Sequence, residues 1–214
     1  MSGKPRFDLG LYLVIGSQDV PLGNLEATLR AALAGGVTLV QLREKHADIE
    51  ATVALGKRVK DILDPLGVPL IVNDDLAAAR ALGAAGVHLG QDDLPAAEAR
   101  VALGPDALIG VSAGTPEEAR GVDLRQVDYL GIGPVFATAT KADAGNAIGA
   151  EGVRQVLEVA PLRAVAIGGI GAGNAPECIA AGCEGVAVVS AICSAADPEA
   201  AARELRGAVD GARS

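Results

Sequence analysis

The strongest constraint on this chain is a recurrence. Eight short apolar runs come round roughly every 25 residues, each followed by a segment with helical spacing. The runs cover residues 9–15, 37–42, 68–72, 87–89, 107–111, 127–132, 164–167 and 185–189. Antiparallel strands can be joined by two residues, whereas parallel neighbours need a crossover of a dozen or more, usually a helix. Eight strand-then-helix units in 214 residues predict one domain, a (β/α)8 TIM barrel spanning residues 1–214. The rival is a doubly wound sheet, which would carry a glycine fingerprint after its first strand. Here Gly16-Ser17-Gln18-Asp19 follows that strand and does not match, and the glycines of 168–173 have the wrong spacing.

The punctuation between runs is specific. Leu25, Leu29 and Leu33 share one face of a helix predicted over 24–34. Asp48 and Asp75 are read as caps of the second and third helices, and a fourth runs over about 95–103. Thr115-Pro116-Glu117-Glu118 is a helix start: cap, proline at the first position, acids in the first turn. Later helices are predicted over 150–159, 174–182 and 198–209. Gly36-Val37, Gly67-Val68, Gly86-Val87 and Gly185-Val186 read as one device, a left-handed glycine ending a helix before a valine opens a strand.

Half the residues are hydrophobic and only 2% are aromatic, so the core is built from Ala, Val, Leu and Ile. With a net charge of -9 and scattered Lys and Arg, there is no basic face for nucleic acid. The three cysteines, Cys178, Cys183 and Cys193, are odd in number and form no C-x-x-C, so buried thiols in a reducing cytoplasm are expected. No basic segment leads into an apolar run at the N-terminus, and no run approaches ~18 apolar residues, so neither a signal peptide nor a membrane span is expected. A homo-oligomer is left open.

Two acidic turns stand out against this background. Leu70-Ile71-Val72-Asn73-Asp74-Asp75 and Val87-His88-Leu89-Gly90-Gln91-Asp92-Asp93 each place a carboxylate pair just past an apolar run. If their strands are parallel neighbours, four carboxylates gather at one rim and repel one another unless a cation lies between them. Hard oxygen ligands without cysteine or paired histidine favour Mg²⁺ over zinc. The alternative is two solvated Asp turns capping helices. Other polar residues also fall at strand ends, where a barrel places its chemistry. Gln41, Arg43 and Lys45 follow strand two, their spacing placing them on one side of an extended segment. Ser112 ends strand five, Thr138, Thr140 and Lys141 follow strand six, and Ser190 follows strand eight. Cations beside a metal site suit a diphosphate, and the glycine turns after strands seven and eight suit a monophosphate. Arg43 has a plainer reading as a rim ion pair with Glu44. His88 and Tyr129 lie inside strands and are read as structural. His46 is read as a surface residue. No serine or cysteine has an evident histidine base, so nucleophilic catalysis is not expected.

These motifs together resemble the thiamine phosphate synthase family over nearly the whole chain. The resemblance is carried by Gln41-Leu42-Arg43-Glu44-Lys45, by Val72-Asn73-Asp74-Asp75 and by the stretch from Gly86 through Asp93. It continues in Gly110-Val111-Ser112, Gly131-Ile132-Gly133-Pro134-Val135-Phe136, Thr138-Ala139-Thr140-Lys141, Ala166-Ile167-Gly168-Gly169-Ile170 and Val188-Val189-Ser190-Ala191-Ile192. It implies a transferase that joins hydroxymethylpyrimidine diphosphate to a thiazole phosphate, or its carboxylated form, releasing pyrophosphate and needing Mg²⁺. By resemblance, Asp74 and Asp93 look like the metal ligands. Gln41, Arg43, Lys45, Asn73, Ser112 and Lys141 look like the pyrimidine diphosphate contacts. Thr138, Thr140, Gly168, Gly169, Val189 and Ser190 look like the thiazole phosphate contacts, and Leu42, Glu44 and Ala139 join the binding set within their motifs. Arg43, Lys45, Ser112 and Lys141 take the catalytic roles.

The implied mechanism is dissociative: the C–O bond breaks first, and the thiazole nitrogen attacks the resulting cation. Ala137 departs from the pattern, which often has proline there. Two alternatives are a thiazole tautomerase, which would lack the metal carboxylates, and a non-catalytic phosphate-binding barrel. The loop 133–149, long for a βα connection and read as holding no apolar stripe to dock it, is expected to act as a mobile lid that carries Lys141.

Overall fold

A computed structural model describes residues 3–21, 23–138 and 145–213. Eight parallel strands close into a barrel in sequence order: β1 Leu11–Ile15, β2 Leu39–Leu42, β3 Leu70–Asn73, β4 Gly86–Leu89, β5 Leu108–Ala113, β6 Tyr129–Ile132, β7 Ala164–Ile167 and β8 Gly185–Val188. The ring is completed by β8 pairing with β1, Tyr12 opposite Ala187. Around it run α1 Leu25–Ala34, α2 Ile49–Leu63, α3 Leu76–Leu82, α4 Ala96–Leu103, α5 Pro116–Arg120, α6 Gly149–Val159, α7 Ala175–Ala180, α8 Ser190–Cys193 and α9 Pro198–Arg213. The expected (β/α)8 barrel is therefore the observed fold. Among the described residues no helix is long and apolar enough to cross a membrane.

The caps fall where the sequence put them. Asp48 accepts from the Ala51 amide (2.8 Å), Asp75 from Ala78 (2.8 Å) and Thr115 from Glu118 (3.2 Å). The early strands start later than the apolar runs do. At Gly36 (φ 106°) and Gly67 (φ 66°) the chain turns left-handed, and the next amides, of Val37 and Val68, bond back to Ala32 and Leu63 of the preceding helix. Those valines close a helix before a strand can begin. The same explanation fails for Gly86 and Gly185, which already lie in β4 and β8. The left-handed glycines there are Gly83 and Gly182, three residues earlier. Gly86 and Gly185 serve close approach instead: a Cβ on either would overlap the backbone of Leu108 or Leu9.

Strand alternation divides the apolar residues into two cores. One face, including Leu13, Val40, Val72, Val87, Ile109, Leu130 and Val186, packs against the helices. The other fills the barrel with Leu9, Tyr12, Val14, Leu39, Ile71, Leu108, Tyr129, Val165 and Ala187. The three cysteines are buried and free, as expected. Burial pushes the Cys178 thiol up to about 11 and those of Cys183 and Cys193 up to about 12, which keeps them protonated and unreactive.

Away from the rim, Arg100 ties three elements together. Its guanidinium donates to the carbonyls of Ala107 and Gln126 and pairs with Asp128 at 2.8 Å. Burial opposes the Asp128 charge, yet Lys4, the Ile109 amide and Arg100 outweigh it and hold the carboxyl below its usual range.

The loop 133–149 departs from expectation at both ends. Val135 donates to Ile167 (2.9 Å) and Phe136 to Gly168 (3.0 Å), continuing the β6–β7 seam beyond the strands. On the return, Ile148 donates to Pro134 and Gly149 to Val135, each at 2.9 Å. Val135 is buried, and Phe136 and Ile148 pack on the core, so the loop does have an apolar anchor. Ala139, Thr140 and Lys141 lie outside the described residues, and so does the expectation of a mobile lid.

Candidate active site

The polar residues at the C-terminal rim meet in two groups, one acidic and one neutral. The acidic group starts at Asn73, the last residue of β3. Asp74 follows with φ 50°, the only non-glycine described residue in the left-handed region. Its amide donates to the His88 carbonyl of the neighbouring strand (2.9 Å), and Asn73 Nδ2 donates to its Oδ2 (2.5 Å). The turn after β4 closes on itself, with the Gly90 amide donating to Asp93 Oδ2 (2.6 Å). Partial burial raises the pKa of Asp74, and the charges of Asp93 and then Asp75 raise it further. Arg43 and the Asn73 hydrogen bond pull it back only in part. The like-charge neighbours expected at this rim are thus felt by Asp74.

Four carboxylates do not form a metal cluster, however. Among the described residues no group of three or more His, Cys, Asp or Glu is placed to hold an ion. Asp75 is turned to the start of α3, and Asp92 is exposed. The donors on offer are Asp74 and Asp93. Two hard carboxylates with no thiolate or imidazole among them fit Mg²⁺, which commonly takes one or two carboxylates and completes its shell with phosphate oxygens and water.

Arg43 lies just past the end of β2 and is half-buried, and its amide donates to Ile15. Glu44 is not its ion-pair partner. Both Glu44 oxygens accept from Ser17, from the amide (2.5 Å) and the hydroxyl (2.7 Å), and so brace the turn after β1. Gln18 adds a bond to the Arg43 carbonyl (2.8 Å). Arg43 continues the alternation of β2 by one residue, but Lys45 does not share it: β2 ends at Leu42 and Lys45 lies exposed in a bend.

The neutral group occupies the barrel mouth. Gln41 is 4% exposed and donates through Nε2 to the Tyr12 hydroxyl (2.8 Å). Tyr12 and Tyr129 hydroxyls lie 2.9 Å apart, Tyr129 meets His88 Nδ1 at 3.1 Å, and His88 Nε2 meets Ser112 Oγ at 3.0 Å. Five strands contribute one residue each. Gln41 and Ser112, expected from sequence as substrate contacts, are thus linked to His88 and Tyr129, expected there as structural residues, and to Tyr12, which carries no sequence expectation. The available signal was parity: the chain has two tyrosines, and each sits in a strand two positions from another inward residue, Val14 or Gly131.

Beyond β7, Gly168 (φ 98°) and Gly169 (φ 65°) turn left-handed, with Asn174 bridging the carbonyl of Gly169 and the amide of Gly171. A Cβ on either glycine would overlap Pro134 or the 136–137 backbone. Val189 precedes the first turn of α8, whose first residue is Ser190, and Thr138 is half-buried at the edge of the described residues.

A closed parallel barrel with cations, paired carboxylates and left-handed glycine turns along its C-terminal rim is the architecture of a TIM-barrel enzyme acting on phosphorylated substrates. The chain belongs to the thiamine monophosphate synthase family, whose model matches residues 11–192. It is 52% identical over 210 residues to a thiamine-phosphate synthase of Xanthobacter autotrophicus, covering 98% of this chain and 99% of that one. It is 48% identical over 212 residues to that of Moorella thermoacetica, with the same coverages. Among solved structures, a thiamine phosphate pyrophosphorylase from Pyrococcus furiosus superposes with a TM-score of 0.86 at 35% identity, covering 96% of this chain and 98% of that chain.

Proposed function

We propose that this chain is a Mg²⁺-dependent thiamine-phosphate synthase that joins hydroxymethylpyrimidine diphosphate to a thiazole phosphate, plain or carboxylated, and releases pyrophosphate. The observation that carries the reading is the pairing of Asp74 with Asp93 at the rim beside Arg43, in a chain similar to thiamine-phosphate synthases over 98% of its length.

Asp74 and Asp93 would hold the ion, with Asn73 fixing the angle of the Asp74 carboxylate. When bound, Mg²⁺ supplies a Lewis acid on the diphosphate oxygens and so makes pyrophosphate a better leaving group. Arg43 and Lys45 offset the charge that collects on the departing oxygens. The methylene–oxygen bond breaks with both electrons leaving on pyrophosphate. The ring-stabilised cation is then captured by the lone pair of the thiazole nitrogen. That nitrogen has no proton to lose, so no general base is needed there. This suits a mouth whose histidine, His88, is engaged by Tyr129 and Ser112. We assign the thiazole phosphate to Thr138, Gly168, Gly169, Val189 and Ser190, joined by Thr140. Lys141 is assigned to the diphosphate. The buried free thiols suit a reducing compartment, and we place the enzyme in the cytoplasm.

The test is an assay with both phosphorylated precursors. Thiamine phosphate and pyrophosphate should appear one for one, only when both precursors are present. Formation should stop in excess chelator and resume with added Mg²⁺. No product with both precursors and Mg²⁺, or a rate indifferent to chelator, would overturn the reading.

A further inference from the structure

The buried polar chain across the barrel mouth has a direction. Gln41 turns its Nε2 to the Tyr12 oxygen, so Tyr12 uses its own single proton on Tyr129. The ordering in which every proton of the chain has an acceptor then has Tyr129 donating to His88 Nδ1, the unprotonated nitrogen. In that ordering the His88 proton is on Nε2 and points to Ser112 Oγ, and the Ser112 hydroxyl proton is left to donate elsewhere. Burial pushes both phenols above their ordinary range, so each keeps the proton this ordering requires. At the other end, Gln41 Oε1 has no hydrogen-bond partner among the described residues. Among the described residues no buried side-chain oxygen is sealed without one, so Oε1 keeps contact with solvent at the barrel mouth. Two ends result: an acceptor on Gln41 and a donor on Ser112.

The strands are built around this chain. Gly110 and Gly131 stand inside β5 and β6, where glycine weakens a sheet. A Cβ on Gly110 would overlap the Tyr129 ring and come within 2.5 Å of His88 Nδ1. A Cβ on Gly131 would meet His88 Cε1 at 2.9 Å. Both glycines make room for the His88 and Tyr129 rings, which lie 5.5 Å apart, centroid to centroid.

We propose that Gln41, Tyr12, Tyr129, His88 and Ser112 form a one-way hydrogen-bond relay that presents an acceptor and a donor to the pyrimidine ring and so selects an amino substituent over an oxo one. The inference rests on the proposed function, since it takes the pyrimidine to bind between Gln41 and Ser112. An aminopyrimidine offers an N–H to Gln41 Oε1 and a ring-nitrogen lone pair to the Ser112 hydroxyl. The oxo analogue reverses both, setting oxygen against oxygen and N–H against O–H. Polar mismatches of this kind discriminate far more strongly than a lost methylene. Tyr12, Tyr129 and His88 are positioning residues: they fix the proton on Ser112 and the turn of the Gln41 amide.

The first test needs no substrate. The chain has two histidines, His46 and His88, so nitrogen-15 NMR of the free protein, assigned with a His46→Gln variant, reads the His88 tautomer directly. The relay predicts the Nε2–H form; an Nδ1–H form or a fast-exchanging mixture overturns it. The second test compares kcat/KM for the amino and oxo pyrimidine diphosphates. Tyr129→Phe should mix the His88 tautomers and cut discrimination by roughly tenfold to a hundredfold, mainly through KM for the pyrimidine and with KM for the thiazole phosphate unchanged. Tyr12→Phe should cut discrimination by freeing Gln41 while leaving the His88 tautomer in place. Discrimination kept in both variants overturns the relay. If the wild-type protein turns over neither pyrimidine, the functional reading fails, and the tautomer still decides whether the relay exists.

Discussion

Asp74→Asn is expected to lower turnover by roughly a hundredfold to a thousandfold and, at neutral pH, to make the protein more stable. Asparagine is the right replacement because Asp74 sits at φ 50°, a conformation that Asn tolerates and alanine does not. The catalytic loss follows from removing one of two carboxylates that would hold the ion under the leaving group. The gain in stability follows from the direction of the Asp74 shift. Burial, Asp93 and Asp75 raise its folded pKa above the usual carboxylate value. A group shifted this way binds its proton more readily in the folded state than in the unfolded one. Its ionised form therefore works against the fold at all pH values above the raised pKa, and the penalty disappears below about pH 3.9, where both states are protonated. Calorimetric melting of wild type and Asp74→Asn without metal should show the variant melting higher at pH 7 and the two converging near pH 3. A variant that melts lower at pH 7 would mean that Asp74 is a structural residue.

Arg43→Ala is expected to raise KM for the pyrimidine diphosphate by roughly tenfold to a hundredfold and to leave KM for the thiazole phosphate within about twofold. Arg43 is half-buried, is within electrostatic reach of Asp74 and Asp19, and is held by backbone contacts to Ile15 and Gln18 while Glu44 is engaged with Ser17. It therefore remains available to an anion. Lys45→Ala should act in the same direction but less strongly, because Lys45 lies exposed in a bend and its charge is better screened by water. Titrating each substrate against a fixed excess of the other separates the two. Equal losses for both substrates would contradict the division of the rim into a diphosphate half and a monophosphate half.

Much of this was legible in the sequence because it is local. The recurrence of apolar runs gave the barrel, and Asp48, Asp75 and Thr115 could be read as caps because a cap depends on residues two to four positions away. The strand entries were partly misread. Gly36 and Gly86 look alike in sequence, yet one ends a helix and the other makes room for Leu108 across the sheet. Residue spacing also could not show that β2 stops at Leu42, so Lys45 was placed on an alternation it does not share. The relay was hidden for a stronger reason. Tyr12, Gln41, His88, Ser112 and Tyr129 are brought together only by barrel closure; Gln41 and Ser112 alone read as substrate contacts, and Tyr12, His88 and Tyr129 alone read as ordinary strand residues. The carboxylates lie between these cases. Their two turns stood out and Asp75 was readable as the cap of α3, but only the structure shows that Asp93 bears on Asp74.

The central claim is that Asp74 and Asp93 complete a cation site only together with a diphosphate. Calorimetric titration of the protein with pyrophosphate, in the presence and absence of Mg²⁺, tests it most directly. Mg²⁺ should tighten pyrophosphate binding by at least about tenfold in the wild type and have little effect in Asp93→Asn. Pyrophosphate bound equally well with and without Mg²⁺, or the same Mg²⁺ enhancement in Asp93→Asn, would contradict it.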